Sequence, residues 1–407
     1  MLGLSLEGGG AKGAYQFGAW KAFRKLGMEF DGITGTSIGA LNGALMIQQD
    51  YEKAYEIWHE IAPEKVLNID SKLYNMIMES GIKHDQIQFI LEQAQRLIKD
   101  VGLDIGPLVK MIREATKEEV IRRSKKDFGF VTVSLTDMKP LELFKEEVPK
   151  GKMADYLLAS SYLPIFKPEK IDGKTFIDGG FYNNLPINML YQKGYKKVVA
   201  VRLMSRGRIK KINFNDLEVL YIQPKYDLGN ILDLSKEKAE FNIKLGYYDT
   251  LKAFKNLHGE NYYLTEGIND LEGIGFLQEL KQETVEKISD LLGLSTHLPK
   301  NRMMVEELFP KLIQILGCSR EASYGVVVLK LLEEIAAYGK VELFKLYNLE
   351  EFLREINRRD IPFGKTPVNL FESSALFLRF NKDKVLEKLI KILLTNEEKI
   401  HLTRLYR

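Results

Sequence analysis

Cysteine is nearly absent: Cys318 is the only one in 407 residues. No intrachain disulfide is possible, nor any multi-cysteine zinc or iron–sulfur site. Histidine is scarce too. His59, His84, His258, His297 and His401 are scattered, with no pair at metal-ligand spacing. The chain opens Met1-Leu2-Gly3-Leu4-Ser5-Leu6-Glu7 and shows no basic leader followed by an apolar stretch of about 7–15 residues. No run of about 18 uncharged apolar residues occurs either. The stretch Gly325–Leu329 is cut at once by Lys330, Glu333 and Glu334. The expectation is a cytoplasmic protein whose membrane contact, if any, is peripheral. An excess of one charge is also missing. Fifty-nine Lys plus Arg stand against fifty-six Asp plus Glu, a net +3, so no nucleic-acid partner is expected. Biased tracts and internal repeats are lacking. What remains is ordinary globular composition, 45% hydrophobic and 28% charged, enough for a sizeable core and for two domains.

The N-terminal part alternates strand and helix patterns. Leu2–Leu6 is a short apolar run, then come glycines, then Ala14–Phe23 with apolar residues at helical spacing. A second unit starts near Phe30 and Ile33, turns at Gly35–Gly39, and enters a helix from Ala40. Such alternation predicts a largely parallel α/β sheet. Residues 51–126 read as a helical insertion, with helices over Tyr51–Ile61, Ser71–Met78, Gln86–Ile98 and Leu108–Ala115. Strands are predicted at Phe128–Leu135, Leu141–Phe144, Thr175–Asp178, Lys197–Leu203 and Leu217–Ile222, and a helix over Ser235–Leu257. Beyond Tyr263 the patterns are helical: Phe276–Leu292, Val305–Leu316, Tyr324–Ala337 and Val385–Leu394. The predicted domains are 1–263 and 264–407.

Three blocks can carry chemistry. Gly35-Thr36-Ser37-Ile38-Gly39 is a Gly-x-Ser-x-Gly between a strand and a helix. A serine hydroxyl attacks only when it is exposed, near a base, and near donors for the developing anion. A sharp strand-to-helix turn meets the first need, and the helix N-terminus favours negative charge. The alternative is a plain turn with Ser37 as N-cap. Gly8-Gly9-Gly10 also joins a strand to a helix. Consecutive glycines let backbone amides converge on an anion such as a tetrahedral oxyanion. Gly8, Gly10 and Gly13 equally fit G-x-G-x-x-G of a dinucleotide site, with Glu29 or Asp31 as ribose ligand. A Walker loop is excluded, because no Gly-Lys-Ser/Thr ends the run. Lys12 reads as a surface cation or as a partner for an anionic substrate. Asp178-Gly179-Gly180 ends a short strand, where a carboxylate can face a ligand crevice; a simple Asp-Gly turn is the alternative.

Taken in order, these blocks resemble the patatin-like phospholipases. Ala159-Ser160-Ser161-Tyr162-Leu163-Pro164-Ile165-Phe166 and Phe181-Tyr182-Asn183-Asn184-Leu185-Pro186 are similar to that family's segments on either side of Asp178. The resemblance covers roughly residues 1–263. It implies a three-layer α/β fold with a mainly parallel sheet between helices, the helical insertion following the nucleophile unit, and a helical C-terminal region of unassigned role. It further implies a lipid acyl hydrolase with Ser37 as nucleophile, Asp178 as base, and Gly8, Gly9 and Gly10 as oxyanion-hole amides. The substrate would be a phospholipid or lysophospholipid, with acylglycerols or short esters as further options. No metal or organic cofactor is needed by such chemistry. Lys12 stands where the family more often has arginine, which keeps the charge but loses the planar fork.

Three other readings remain at this stage. A Ser–Asp–His hydrolase would draw its histidine from His258, His297 or His401, which follow Asp178 in order only. A dinucleotide site accounts for Gly8–Gly13 but not for the other two blocks. A catalytically silent scaffold would use the C-terminal helices as an interaction module. The basic runs Arg122–Lys126 and Arg206–Lys211 read as solvated surface, with attraction for anionic headgroups as the functional alternative.

Overall fold

In a computed structural model the structure describes residues 1–70, 72, 74–75, 78, 102–167, 170–294, 297–358 and 382–395. The predicted helix Gln86–Ile98, much of Ser71–Met78, and His84 and His401 lie outside the described residues. The chain forms two compact units, Met1–Ala253 and Phe254–Arg407.

The first unit is built on an eight-stranded sheet. Its strands are β1 (Leu2–Leu6), β2 (Gly32–Thr36), β3 (Asp127–Ser134), β4 (Lys139–Phe144), β5 (Lys170–Ile171), β6 (Lys174–Asp178), β7 (Lys197–Val201) and β8 (Glu218–Ile222). β1 pairs in parallel with β2 and β7, β2 with β3, and β7 with β8. β4 and β6 join β3 antiparallel, and β5 joins β6. The central strands are buried on both faces, as strands sandwiched between helices must be. Side chains alternate between the two layers. Leu6 and Ile33 face Gly43 in α2 (Ile38–Ile47), whereas Gly3 faces Leu190 and Thr34 hydrogen-bonds the Pro186 carbonyl on the opposite side.

Helix α1 (Ala14–Lys25) crosses the long helix Lys236–Lys255 at glycines on both sides. A Cβ on Gly18 would stand 2.0 Å from the Ile243 carbonyl oxygen, and one on Gly246 2.0 Å from that of Tyr15. The Tyr15 hydroxyl donates to Asp249 at 2.9 Å across the same crossing. Gly18→Ala should therefore destabilise by about 1–3 kcal/mol, although alanine favours an isolated helix by about 1 kcal/mol. A urea melt checks the sign; a more stable variant would mean the helices are not in contact there.

Arg122 corrects the surface reading of its basic run. It is largely buried, pairs with Glu118 at 2.7 Å, and donates to the carbonyls of Lys145, Val148 and Pro149.

The second unit packs helices Asp270–Glu279, Gln282–Leu292, Phe309–Leu316, Tyr324–Tyr338, Leu349–Arg358 and Lys382–Thr395 around one apolar cluster that includes Val328, Leu332 and Phe352. The buried carboxylate of Glu333 accepts the backbone amides of Glu260, Asn261 and Tyr262, fixing the loop ahead of a two-stranded ribbon. Two predicted helices are interrupted. The Phe276–Leu292 pattern breaks at Leu280–Lys281, where the chain is extended. Lys300, twenty residues on, donates to the Gln278 and Leu280 carbonyls that the break exposes. The Val305–Leu316 pattern begins as a π-turn, Met304–Leu308, and becomes an α-helix at Phe309, with Pro310 in its first turn, where a missing N–H is tolerated.

Candidate active site

Ser37 follows β2 directly and precedes α2. Its backbone lies at φ 56° and ψ −128°, a strained region for a residue with a side chain. The turn is tight because its glycines are in contact: a Cβ on Gly35 would lie 2.3 Å from the Gly39 carbonyl oxygen. Although Ser37 occupies the N-cap position, its side chain makes no capping hydrogen bond. The hydroxyl is thus left for other work, and the N-cap alternative is not what the structure adopts.

Asp178 reaches Ser37 by an unusual strand arrangement. β4 borders one side of β3 over Gly129–Ser134. On the other side β2 pairs as far as Thr36↔Val131, and β6 takes over at Thr132↔Asp178. β2 and β6 therefore meet end to end along one edge of β3, and the residues leaving their ends are brought together. Gly179 makes this possible, since a Cβ there would stand 2.2 Å from the Val131 carbonyl oxygen and 3.0 Å from Thr36.

The Asp178 carboxyl is 4% exposed. Oδ1 accepts the Gly180 amide at 2.7 Å, so the turn role is real, but it uses one oxygen only. Oδ2 is buried with no hydrogen-bond partner among the described residues. Burial raises the pKa to about 6, while the Ser37 side chain and the Gly180 amide pull it down. The Ser37 hydroxyl thus acts on this carboxyl without closing a well-formed bond to Oδ2. Loose catalytic hydrogen bonds are common before substrate binds.

The glycine loop lies against the serine: a Cβ on Gly8 would stand 3.1 Å from Ser37 Cβ. Its amides do not share one role. Gly8 N–H donates to the Asn184 carbonyl at 3.0 Å, and the Gly8 carbonyl is held by Asn184 Nδ2 and the Ser205 hydroxyl. This corrects the assignment of Gly8 as an oxyanion donor. Among the described residues the Gly9 and Gly10 amides have no partner, and both glycines are partly exposed. The dinucleotide reading loses support for the same reason, because the amides of Gly8 and Ala11 are already committed to Asn184 and Ile231. Lys12 is 4% exposed rather than a surface cation. Burial lowers its pKa, opposed by Asp227 and Glu7. It does not line the cavity beside Ser37.

Two residues that hold the turns together sat inside recognised sequence blocks without a role. Asn184 ties the glycine loop to the segment after Asp178. Ser160, ending helix α5 (Met153–Ser160) in a series that includes α3 (Tyr51–His59) and α4 (Gly106–Ala115), accepts the Ser37 amide at 3.0 Å and donates to Val131 at 2.6 Å. It pins the strained turn. Ser160→Ala should leave that amide unpartnered, at a cost of about 1–3 kcal/mol, and lower kcat on any substrate of Ser37 with little change in KM. Steady-state kinetics beside a thermal melt check this; a rise in KM alone would contradict it.

An apolar cavity opens beside the serine. It offers about 120 Å³ for the centres of water-sized molecules, where one water needs only about 10–15 Å³. Ser37, Leu41, Leu45, Trp58, Leu108 and Ile112 are among its walls. The apolar faces of α3 and α4, from the predicted insertion, therefore turn inward to it. No helix among the described residues is long and apolar enough to cross a membrane.

Residues 4–191 match the family model described as patatin-like phospholipase. The chain is similar to patatin-like phospholipase domain-containing protein 7 of Rattus norvegicus, 27% identical over 218 residues, covering 53% of this chain and 14% of that protein. It is similar to lysophospholipase NTE1 of Kluyveromyces lactis, 24% identical over 265 residues, covering 62% of this chain and 16% of that protein. This chain thus spans a small part of those relatives' length. Among solved structures, VipD from Legionella pneumophila aligns over 98% of this chain and 91% of its own, at 14% identity and a TM-score of 0.37.

Proposed function

As the chain carries a patatin-like phospholipase domain over residues 4–191, we propose that it hydrolyses carboxylic esters of lipids through a Ser37–Asp178 dyad. The observation that carries this reading is the strained, uncapped Ser37 beside a buried carboxyl whose Oδ2 has no hydrogen-bond partner among the described residues. Ser37 Oγ attacks the ester carbonyl as Asp178 Oδ2 takes its proton. The negative charge on the tetrahedral intermediate falls to the free amides of Gly9 and Gly10, each such donor contributing about 10²–10³ in rate. Collapse expels the alcohol, which recovers the proton from Asp178. Water then attacks the acyl-enzyme, deprotonated by the same carboxylate; the acyl–Oγ bond breaks, Ser37 Oγ recovers the proton from Asp178, and the fatty acid leaves. A carboxyl with a pKa of about 6 is a better base than an ordinary aspartate and is still ionised at neutral pH.

The apolar cavity suits an acyl chain, which favours phospholipids or lysophospholipids over small polar esters. The Kluyveromyces relative is called a lysophospholipase, in keeping with this substrate class. Incubation with phosphatidylcholine and lysophosphatidylcholine, followed by mass spectrometry, should show free fatty acid with the matching deacylated product. Intact lipid alongside an unreactive Ser37 would overturn the proposal.

A further inference from the structure

The cavity follows a single helix face. Ile38, Leu41, Leu45 and Gln48 line it, at spacings of three and four, so they form one stripe along α2 and the residue after it. The other face of α2 rests on the sheet, where a Cβ on Gly39 would stand 2.3 Å from the Leu6 carbonyl oxygen and one on Gly43 3.2 Å from Phe128. From Ile38, beside the nucleophile, to Gln48 the helix rise of about 1.5 Å per residue gives about 15 Å. At the far end Gln48 is tied to the end of α4 and the residues after it. Gln48 Nε2 donates to the Ala115 carbonyl at 3.2 Å, and Gln48 Oε1 accepts the Lys117 amide. Ala115 and Thr116 complete that wall.

We propose that this cavity is an acyl-length ruler, an inference that rests on the hydrolase reading above. The substrate chain runs from its carbonyl at Ser37 along α2, and the Gln48–Ala115 wall sets the longest chain that is fully buried. A peptide extends about 3.5 Å over three backbone bonds, or about 1.2 Å per bond. About 15 Å then holds about twelve carbons. Each methylene up to that length adds burial worth about fourfold in kcat/KM. Methylenes beyond it press on the wall or stay in water and add nothing.

The test uses the full chain with saturated p-nitrophenyl esters of four to eighteen carbons, and isothermal titration with the matching free fatty acids. The parent protein should show kcat/KM and affinity rising to about twelve carbons and then levelling or falling. Ala115→Phe should cut the twelve-to-four-carbon ratio of kcat/KM by at least about tenfold, and Gln48→Ala should move the maximum to longer chains. If Ala115→Phe fails to fold by circular dichroism, Gln48→Ala decides alone. Ester hydrolysis with one length profile in all folded proteins would overturn the ruler and leave the hydrolase reading intact. Length-dependent fatty-acid binding without hydrolysis of any ester would do the reverse.

Discussion

Ser37→Ala is expected to lower kcat for lipid-ester hydrolysis by at least about 10⁴-fold, the scale seen when a serine nucleophile is removed from an otherwise intact site. Stability should change little, within about 0.5 kcal/mol, because the hydroxyl caps nothing and alanine keeps the Cβ. The Ser37 amide would still bond Ser160, so the turn should persist. Initial rates with a thermal melt on the same sample separate the two effects. Near-parental turnover would remove Ser37 from the chemistry.

Asp178→Asn should abolish hydrolysis to a similar degree and, unlike most buried substitutions, stabilise the protein. The carboxyl titrates at about 6 when folded, against 3.8 for an ordinary aspartate. Below pH 4 it is protonated in both states and costs nothing. Between about pH 4 and 6 the folded state holds the proton more tightly, so stability falls as pH rises. Above about pH 6 the loss is complete, on the order of 3 kcal/mol. Asparagine removes it. Its oxygen can keep the Gly180 amide, and its NH₂ replaces the partnerless Oδ2. The variant should therefore be the more stable at pH 8 and equal to the parent near pH 4. The parent's kcat/KM should fall with one proton as pH drops through about 6. Equal stabilities at pH 8 would mean that Asp178 titrates normally.

The legible part of the site was whatever lay on strand–turn–helix units. Gly35–Gly39 and Gly8–Gly10 are local devices, and each sits at the end of a parallel strand as its pattern predicts. The α/β architecture followed from the same alternation. The meeting of β2 and β6 along one edge of β3 was not legible, since it depends on two separate long-range registers, Thr36↔Val131 and Thr132↔Asp178. Nor was the commitment of the Gly8 amide to Asn184, which no local spacing encodes. The break before Lys281 was hidden for the same reason, as its exposed carbonyls are satisfied by Lys300 from a later segment. Of the two readings of Lys12, the surface cation fails because a lone lysine gives no sign of the fold closing over it.

Reaction of the full chain with a fluorophosphonate, with the adduct located by peptide mass spectrometry, addresses the dyad most directly. One adduct per chain on the peptide bearing Ser37, absent in Ser37→Ala and formed far more slowly in Asp178→Asn, is the result expected. An adduct on a different side chain, or labelling of Ser37 at the parental rate without the Asp178 carboxyl, would contradict it.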